Sequence, residues 1–145
     1  MPDIKFLQPI ANRVVDTYFR EGLDALPPDD RVFFLIWCYG PCIDNGGHAS
    51  LFDNSQMDNY EATVVALREV GLFRHAELLV SAARALFGDT PVPRTLDERN
   101  EVIDQLAADS SEIDAALESC DRQFSTLGAA DAVLDALEIW YLARA

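Results

Sequence analysis

Helical periodicity is the feature that most constrains how this chain can fold. Apolar residues recur at i, i+3, i+4, i+7 and i+11 over residues 76–87, and a similar stripe runs over residues 113–127. This period buries one face of an α-helix, whereas a half-buried strand would alternate residue by residue. No segment of the sequence gives an equally clear strand pattern, so we predict an all-α fold.

Glycines, prolines and capping residues divide the chain into about seven predicted helices. Gly22 closes the first, Pro27-Pro28-Asp29-Asp30 opens the second, and Thr95 with Glu98 forms a capping box for a later one. A length of 145 residues is typical of one compact domain, so we expect residues 1–145 to form one. The predicted elements are helices over 9–22 and near 28–43, a polar glycine-rich connection over 44–58, and helices at 60–71, 76–87, after Thr95, at 113–127 and at 133–141.

The sequence shows no pattern typical of a leader segment, a membrane span or a cysteine metal site. The first residues show no basic segment followed by an apolar one, and the longest apolar run, 32–39, is too short to cross a membrane. Cys38, Cys42 and Cys120 have neither zinc nor redox spacing and are expected to be buried free thiols. We therefore expect a cytoplasmic protein without a metal or other cofactor and without a membrane partner.

The charge of the chain is strongly unbalanced. Asp and Glu number 25 against 11 Lys and Arg, which gives a net charge of −14. Such a chain is repelled by nucleic acid and attracted to basic surfaces. Residues 97–145 hold 12 acidic and three basic residues, so the predicted acidic C-terminal helices, residues 95–145, carry most of the net charge.

The C-terminal acids are also regularly spaced. Each predicted helix has three carboxylates at i, i+4 and i+7, which rise by about 6 and about 4.5 Å along the axis, comparable to close phosphate spacings in nucleic acid. Like charges at this spacing destabilise a helix slightly, and Arg99, Arg122 and Arg144 are the only nearby cations in sequence. The spacing has two simpler possible causes: acids recur because the opposite face is core, or they maintain solubility. The predicted partner-binding residues are Asp97, Glu101, Asp104, Asp114, Glu118, Asp121, Asp131, Asp135 and Glu138.

Catalytic patterns are weak in this sequence. The two histidines, His48 and His75, lie in no zinc motif, and residues 53–64 lack the ligands of a calcium loop. No nucleophile elbow or phosphate loop is present. His75, beside Arg74 at a predicted helix start, is expected to be a surface or capping residue. We therefore predict a protein that is not an enzyme.

One stretch, within the 44–58 connection, resembles a known family. Residues 45–58 resemble the N-G-G-F-x-Q-[FY]-F-x-N-S-x-G-D signature of a bacterial all-helical family best known through a DNA-mimic protein, and the similarity extends over about residues 30–125. His48, Ser50 and Met57 replace the usual Phe, Gln and Gly. The residues of this motif segment are Asn45, Gly46, Gly47, His48, Phe52, Asn54, Ser55 and Asp58.

The resemblance implies a helical, often dimeric protein without known enzymatic activity. In the characterised member of that family, surface carboxylates imitate DNA phosphates and occupy a DNA-binding protein such as a transcriptional regulator, and the resemblance implies the same role for this chain. Two alternatives remain open: an immunity or antitoxin protein that masks a basic toxin, and a small-ligand or hydrolase module that uses residues 44–58. The last helix either completes the core or also extends a homodimer interface.

Overall fold

The structure, a computed structural model, confirms the all-α prediction. It describes residues 1–106 and 111–144, and within them it contains seven α-helices, two short 3₁₀ helices and no strand. Residues 107–110 and 145, which belong to the predicted acidic region 95–145, lie outside the described residues. The helices are α1 (Ile4–Glu21), α2 (Pro28–Phe52), α3 (Tyr60–Glu69), α4 (Phe73–Phe87), α5 (Leu96–Leu106), α6 (Ser111–Thr126) and α7 (Ala129–Leu142), with 3₁₀ helices at Leu23–Ala25 and Ser55–Asn59.

Helix α1 begins earlier than the sequence predicted. The carboxylate of Asp3 accepts a hydrogen bond from the N–H of Phe6 and so caps the helix at Ile4 rather than at residue 9. Pro9 lies inside the helix. The predicted end is confirmed, because the N–H of Gly22 donates to the carbonyl of Tyr18 at 2.8 Å.

Helix α2 begins at Pro28, as predicted, but the predicted connection over residues 44–58 is wrong. The helix continues to Phe52 with a kink at Gly47, and residues 55–59 form a 3₁₀ helix. A glycine pair is typical of a chain break in sequence. Contacts from α6 hold the backbone through this kink.

Helix α2 is the centre of the core. It packs against α1, α3, α6 and α7, while α4 packs on α3 and α6, and α5 packs against the second 3₁₀ helix. Phe33, Phe34 and Ile36 of α2 are all buried, as expected for a helix that is apolar on every side. Helix α1 is joined to this core by Arg13, which donates to buried Asp30 at 2.7 Å.

Helix α7 completes the core. An added Cβ at Gly40 would lie 3.2 Å from the Cβ of Val133, so the glycine lets α2 and α7 approach closely. Leu137 is fully buried, whereas Ile139 and Leu142 are exposed. The homodimer stays a prediction.

The structure also shows the state of the cysteines and the length and apolar character of the helices. All three cysteines are free, as predicted, but only Cys120 is buried, and Cys38 and Cys42 are partly exposed. Among the described residues, no helix combines the length and apolar character needed to cross a membrane.

Candidate functional site

Six of the nine predicted partner-binding acids are exposed on α5, α6 and α7. No lysine, arginine or histidine nitrogen of the described residues lies within 4 Å of them in an ion pair. Their negative charges are therefore available to a partner. The exposed acids are Asp97, Glu101 and Asp104 on α5, Asp114 and Glu118 on α6, and Asp131 on α7.

The other three acids have partners within the chain. Asp121 contacts both the backbone and the ring of His48. Asp135 pairs with the N-terminal ammonium group at 3.4 Å, and Glu138 accepts a hydrogen bond from the N–H of Asp3 at 2.8 Å. These contacts use part of the acidic set to hold the fold, and any contact with a partner at these positions stays a prediction.

The arginines that are nearby in sequence do not neutralise the exposed acids. Arg99 is fully buried and pairs with Asp58 at 2.8 Å. Arg144 lies 4.0 Å from the Trp140 ring and reaches carboxylates on α2 and α3. Arg122 has no carboxylate within 4 Å in the part of the chain that the structure describes. Two of the three expected counter-charges therefore act elsewhere.

The three helices that bear the exposed acids, α5, α6 and α7, pack on different parts of the fold. Helix α6 packs mainly on α4, and α7 packs mainly on α2, while α6 and α7 also contact each other. Helix α5 packs against the 3₁₀ helix Ser55–Asn59. Regular helices on a packed core fix the spacing of their charges before any partner arrives, which limits the entropic cost of binding.

Gly47 and Asp121 together build the kink of the motif segment. Gly47 has φ 74° and ψ −175°, a conformation that side chains rarely adopt. The Asp121 carboxylate lies where a Cβ of residue 47 would be. Its Oδ1 accepts from the N–H of His48 at 2.8 Å and lies 2.7 Å from His48 Nδ1. A carboxylate from α6 thus satisfies the backbone that the kink leaves free.

Arg99 holds the other end of the motif segment. Its Nε donates to the carbonyl of Phe52 at 3.1 Å, and its Nη2 donates to the carbonyl of Asn54 at 2.9 Å and to Asp58. Its Nη1 donates to the carbonyl of Pro93 at 3.0 Å. One buried guanidinium therefore joins the end of α2, the second 3₁₀ helix and the segment before α5.

The motif residues divide into a buried and an exposed group. His48 and Phe52 are fully buried, and Asn54 caps the second 3₁₀ helix by accepting from the N–H of Gln56. The exposed residues are Asn45, Gly46, Ser55 and Asp58. The geometry supports a structural role for the segment.

The small-ligand or hydrolase alternative requires His48 to face a concave site beside carboxylates. His48 does meet a carboxylate, but its ring has no exposed surface, so no ligand reaches it in this conformation. Among the described residues, no group of three or more His, Cys, Asp or Glu is arranged to hold a metal ion.

His75 is buried, so the prediction of a surface or capping residue is wrong. The rings of His48 and His75 both make T-shaped contacts with the Phe124 ring, with ring centroids 6.2 and 5.8 Å away. Each histidine has a buried Nε2 without a hydrogen-bond partner among the described residues. Burial lowers the pKa of His48 against the opposing effect of Asp121, and burial followed by the nearby His48 lowers the pKa of His75.

Position on an apolar stripe could have revealed the buried polar residues. His75 is followed at helical spacing by Leu79, Ala82 and Leu86. Arg99 similarly lies between Leu96 and Ile103 on the inner face of α5. A single polar residue in such a stripe indicates a buried group that needs a partner.

Because folding lowers the pKa values of His48 and His75, we expect the protein to lose stability in mild acid. An imidazole whose pKa is lowered by folding binds more protons in the unfolded state, so stability decreases as the pH falls below the unfolded value of about 6.5. We expect His75→Leu to flatten the dependence of the unfolding free energy on pH between about 7 and about 5, with the remaining slope due to His48. Urea unfolding at each pH measures the unfolding free energy. An unchanged slope in the His75→Leu variant would contradict the assignment of this pH dependence to His75.

The sequence that forms α2 to α7 is similar to a known family. A sequence model of the DMP19-like protein family matches residues 24–145. The chain belongs to the DMP19-like protein family. The match includes the kink at Gly47, buried Arg99 and all three acidic helices, whereas α1 precedes it. The comparisons with curated proteins and with solved structures gave no match.

Proposed function

We propose that this DMP19-like protein is a non-enzymatic acidic binding protein that mimics DNA. It occupies the basic DNA-binding surface of a partner such as a transcriptional regulator. The observation that carries the proposal is the set of six exposed carboxylates on α5, α6 and α7, which have no ion-pair partner among the described residues. Membership of the DMP19-like family supports it.

The physical basis is electrostatic complementarity between carboxylates and basic side chains. Carboxylates accept charge-assisted hydrogen bonds from Arg and Lys as phosphates do. The net charge of −14 attracts a basic partner over a distance set by the Debye length, about 8 Å at physiological salt. Binding should therefore be fast at low salt, should weaken as salt rises, and should exclude DNA from the same surface.

The α5 acids give the sharpest test. Partners captured from a lysate of the producing cells at low salt would be identified, purified and titrated with the wild type and with the triple variant Asp97→Asn, Glu101→Gln, Asp104→Asn. We expect the variant to bind about tenfold more weakly or worse, because each lost charge contact at an interface costs a fraction of a kcal/mol or more. Added DNA should displace the wild-type protein from its partner.

A matched control separates surface geometry from net charge. The variant Glu21→Gln, Asp24→Asn, Asp89→Asn removes the same charge from exposed acids outside α5–α7. It should bind nearly as tightly as the wild type. Equal weakening by both variants would mean that binding depends on the overall charge and not on the α5 surface. A partner that binds DNA and this protein at the same time would contradict mimicry.

A further inference from the structure

An apolar groove lies between the first turns of α2 and helix α3, and its described lining residues all belong to these two helices. Its volume is about 400 Å³. Leu35 and Ala66 form a buried floor, Pro28 and Val32 line one side, and Val65 on the other side is 60% exposed. An exposed apolar side chain beside a buried apolar floor is a typical anchor site for a docking segment.

The rim of the groove is acidic. Asp29, Glu61 and Glu69 line it, and Arg31 is the one basic residue among the described residues of the lining. The Arg31 Nη2 donates to the carbonyl of Leu26 at 3.1 Å, so this cation is turned toward the backbone. Three carboxylates outnumber the two guanidinium groups of Arg31 and Arg144 at this rim, which favours a basic occupant.

The chain itself already places a guanidinium at this rim. Arg144, just after α7, lies with its Nε 3.6 Å from Asp29 Oδ1 and with its Nη2 3.8 Å from Glu69 Oε1. Both acids therefore have the position and exposure needed to contact an arginine. A partner arginine could use the same carboxylates, together with Glu61.

We propose that this groove docks a basic amphipathic segment of the protein partner, with an apolar side chain against Val65, Leu35 and Ala66 and with flanking Lys or Arg on the acidic rim. The proposal rests on the proposed function, which makes the partner basic, and it adds a second contact site to the acidic helices. A second copy of this chain fits less well, because a net charge of −14 would meet the acidic rim. Recognition is of the helix-in-groove type.

A synthetic peptide tests the groove directly. The probe is an amphipathic peptide of about 18 residues with leucines at helical spacing and with Lys and Arg elsewhere, compared with a scrambled peptide of the same composition. Titration calorimetry gives the affinity, and NMR shift mapping gives the location. We expect the amphipathic peptide to bind several-fold more tightly than the scrambled one and to shift the signals of Val32, Ala62 and Val65.

Two matched variants separate apolar contact from charge. Val65→Asp and Phe19→Asp each replace an exposed apolar residue with an acid, and only Val65 lies in the groove. The added charge alone would strengthen binding of a basic peptide. We expect Val65→Asp to weaken binding about tenfold through lost apolar contact and Phe19→Asp to leave it unchanged or slightly stronger. Arg144→Gln should strengthen binding several-fold, because it releases Asp29 and Glu69.

Several outcomes would overturn the proposal. Equal binding of both peptides would mean that charge alone attracts them, and equal effects of the two aspartate variants would exclude the groove. A lower mass in solution for Val65→Asp would identify a second copy as the occupant. The α5 triple variant should retain peptide binding in the groove. Failure of peptide binding by a protein whose partner is still displaced by DNA would reject the groove and leave the proposed function standing.

Discussion

Arg99→Met is expected to lower the free energy of unfolding by about 3 kcal/mol or more. The guanidinium is fully buried, and its loss takes the donor from the buried carbonyl of Phe52 and from the part-buried carbonyl of Pro93, while the carbonyl of Asn54 keeps only the N–H of Met57. Methionine fills much of the volume but donates no hydrogen bond. The pair with Asp58 adds less, because that carboxylate is 43% exposed and screened by solvent. Chemical denaturation followed by circular dichroism measures the change.

Three control variants show which part of the network matters. Arg122→Met, at an exposed arginine on α6 without an ion pair among the described residues, should change stability by less than about 0.5 kcal/mol. Asp58→Asn should cost about 1 kcal/mol or less, since Arg99 keeps its three carbonyls. The stability cost of Arg99→Lys should lie between those of Asp58→Asn and Arg99→Met, because an ammonium group keeps the charge but cannot reproduce the planar fork of hydrogen-bond donors. A cost for Arg99→Met as small as that for Arg122→Met would show that the buried network does not hold the motif segment.

The helices could be predicted because their signals are local. The apolar stripes of α4 and α6 and the stop signals at Gly22 and Gly88 each depend on residues within a few turns of the same helix. Periodicity reports which face is buried before the partner element is known.

The kink and the buried network could not be predicted from local pattern. The glycine pair at 46–47 indicates a loop, whereas only Gly47 is non-helical and the helix resumes directly after it, where Asp121, far along the chain, satisfies the N–H of His48. Arg99 looks like a counter-charge for its acidic neighbours, yet its acceptors on Phe52 and Asn54 lie more than 40 residues earlier. In both cases a tertiary hydrogen bond overrides the local preference.

The candidate binding surface was predicted only in part. The acids of α5 could be placed on an outer face by spacing alone, and the structure shows them exposed. The same spacing includes Asp121 and Glu138, which the fold uses internally. A helical pattern gives the direction of a side chain but does not reveal which neighbouring segment meets it.

Gly47→Ala tests the kink itself, and we expect it to cost about 3 kcal/mol or more. Two separate costs add at this position. At φ 74° and ψ −175° an alanine is strained, and its Cβ would displace the Asp121 carboxylate and so break both hydrogen bonds to His48. Gly22→Ala is the matched control, since Gly22 has a similar φ of 91° and ψ of 171° but nothing within 4 Å of an added Cβ. It should cost about 1–2 kcal/mol from strain alone.

A double-mutant cycle separates the two costs. In an Asp121→Ala background the carboxylate is already gone and His48 has already lost its acceptor, so Gly47→Ala should cost about as much as Gly22→Ala. The coupling between positions 47 and 121 would then be about 1–2 kcal/mol. Urea unfolding of the four proteins measures it. Additive effects would mean that the carboxylate moves aside freely, and the kink would then depend on backbone conformation at Gly47 alone and not on the contact between α2 and α6.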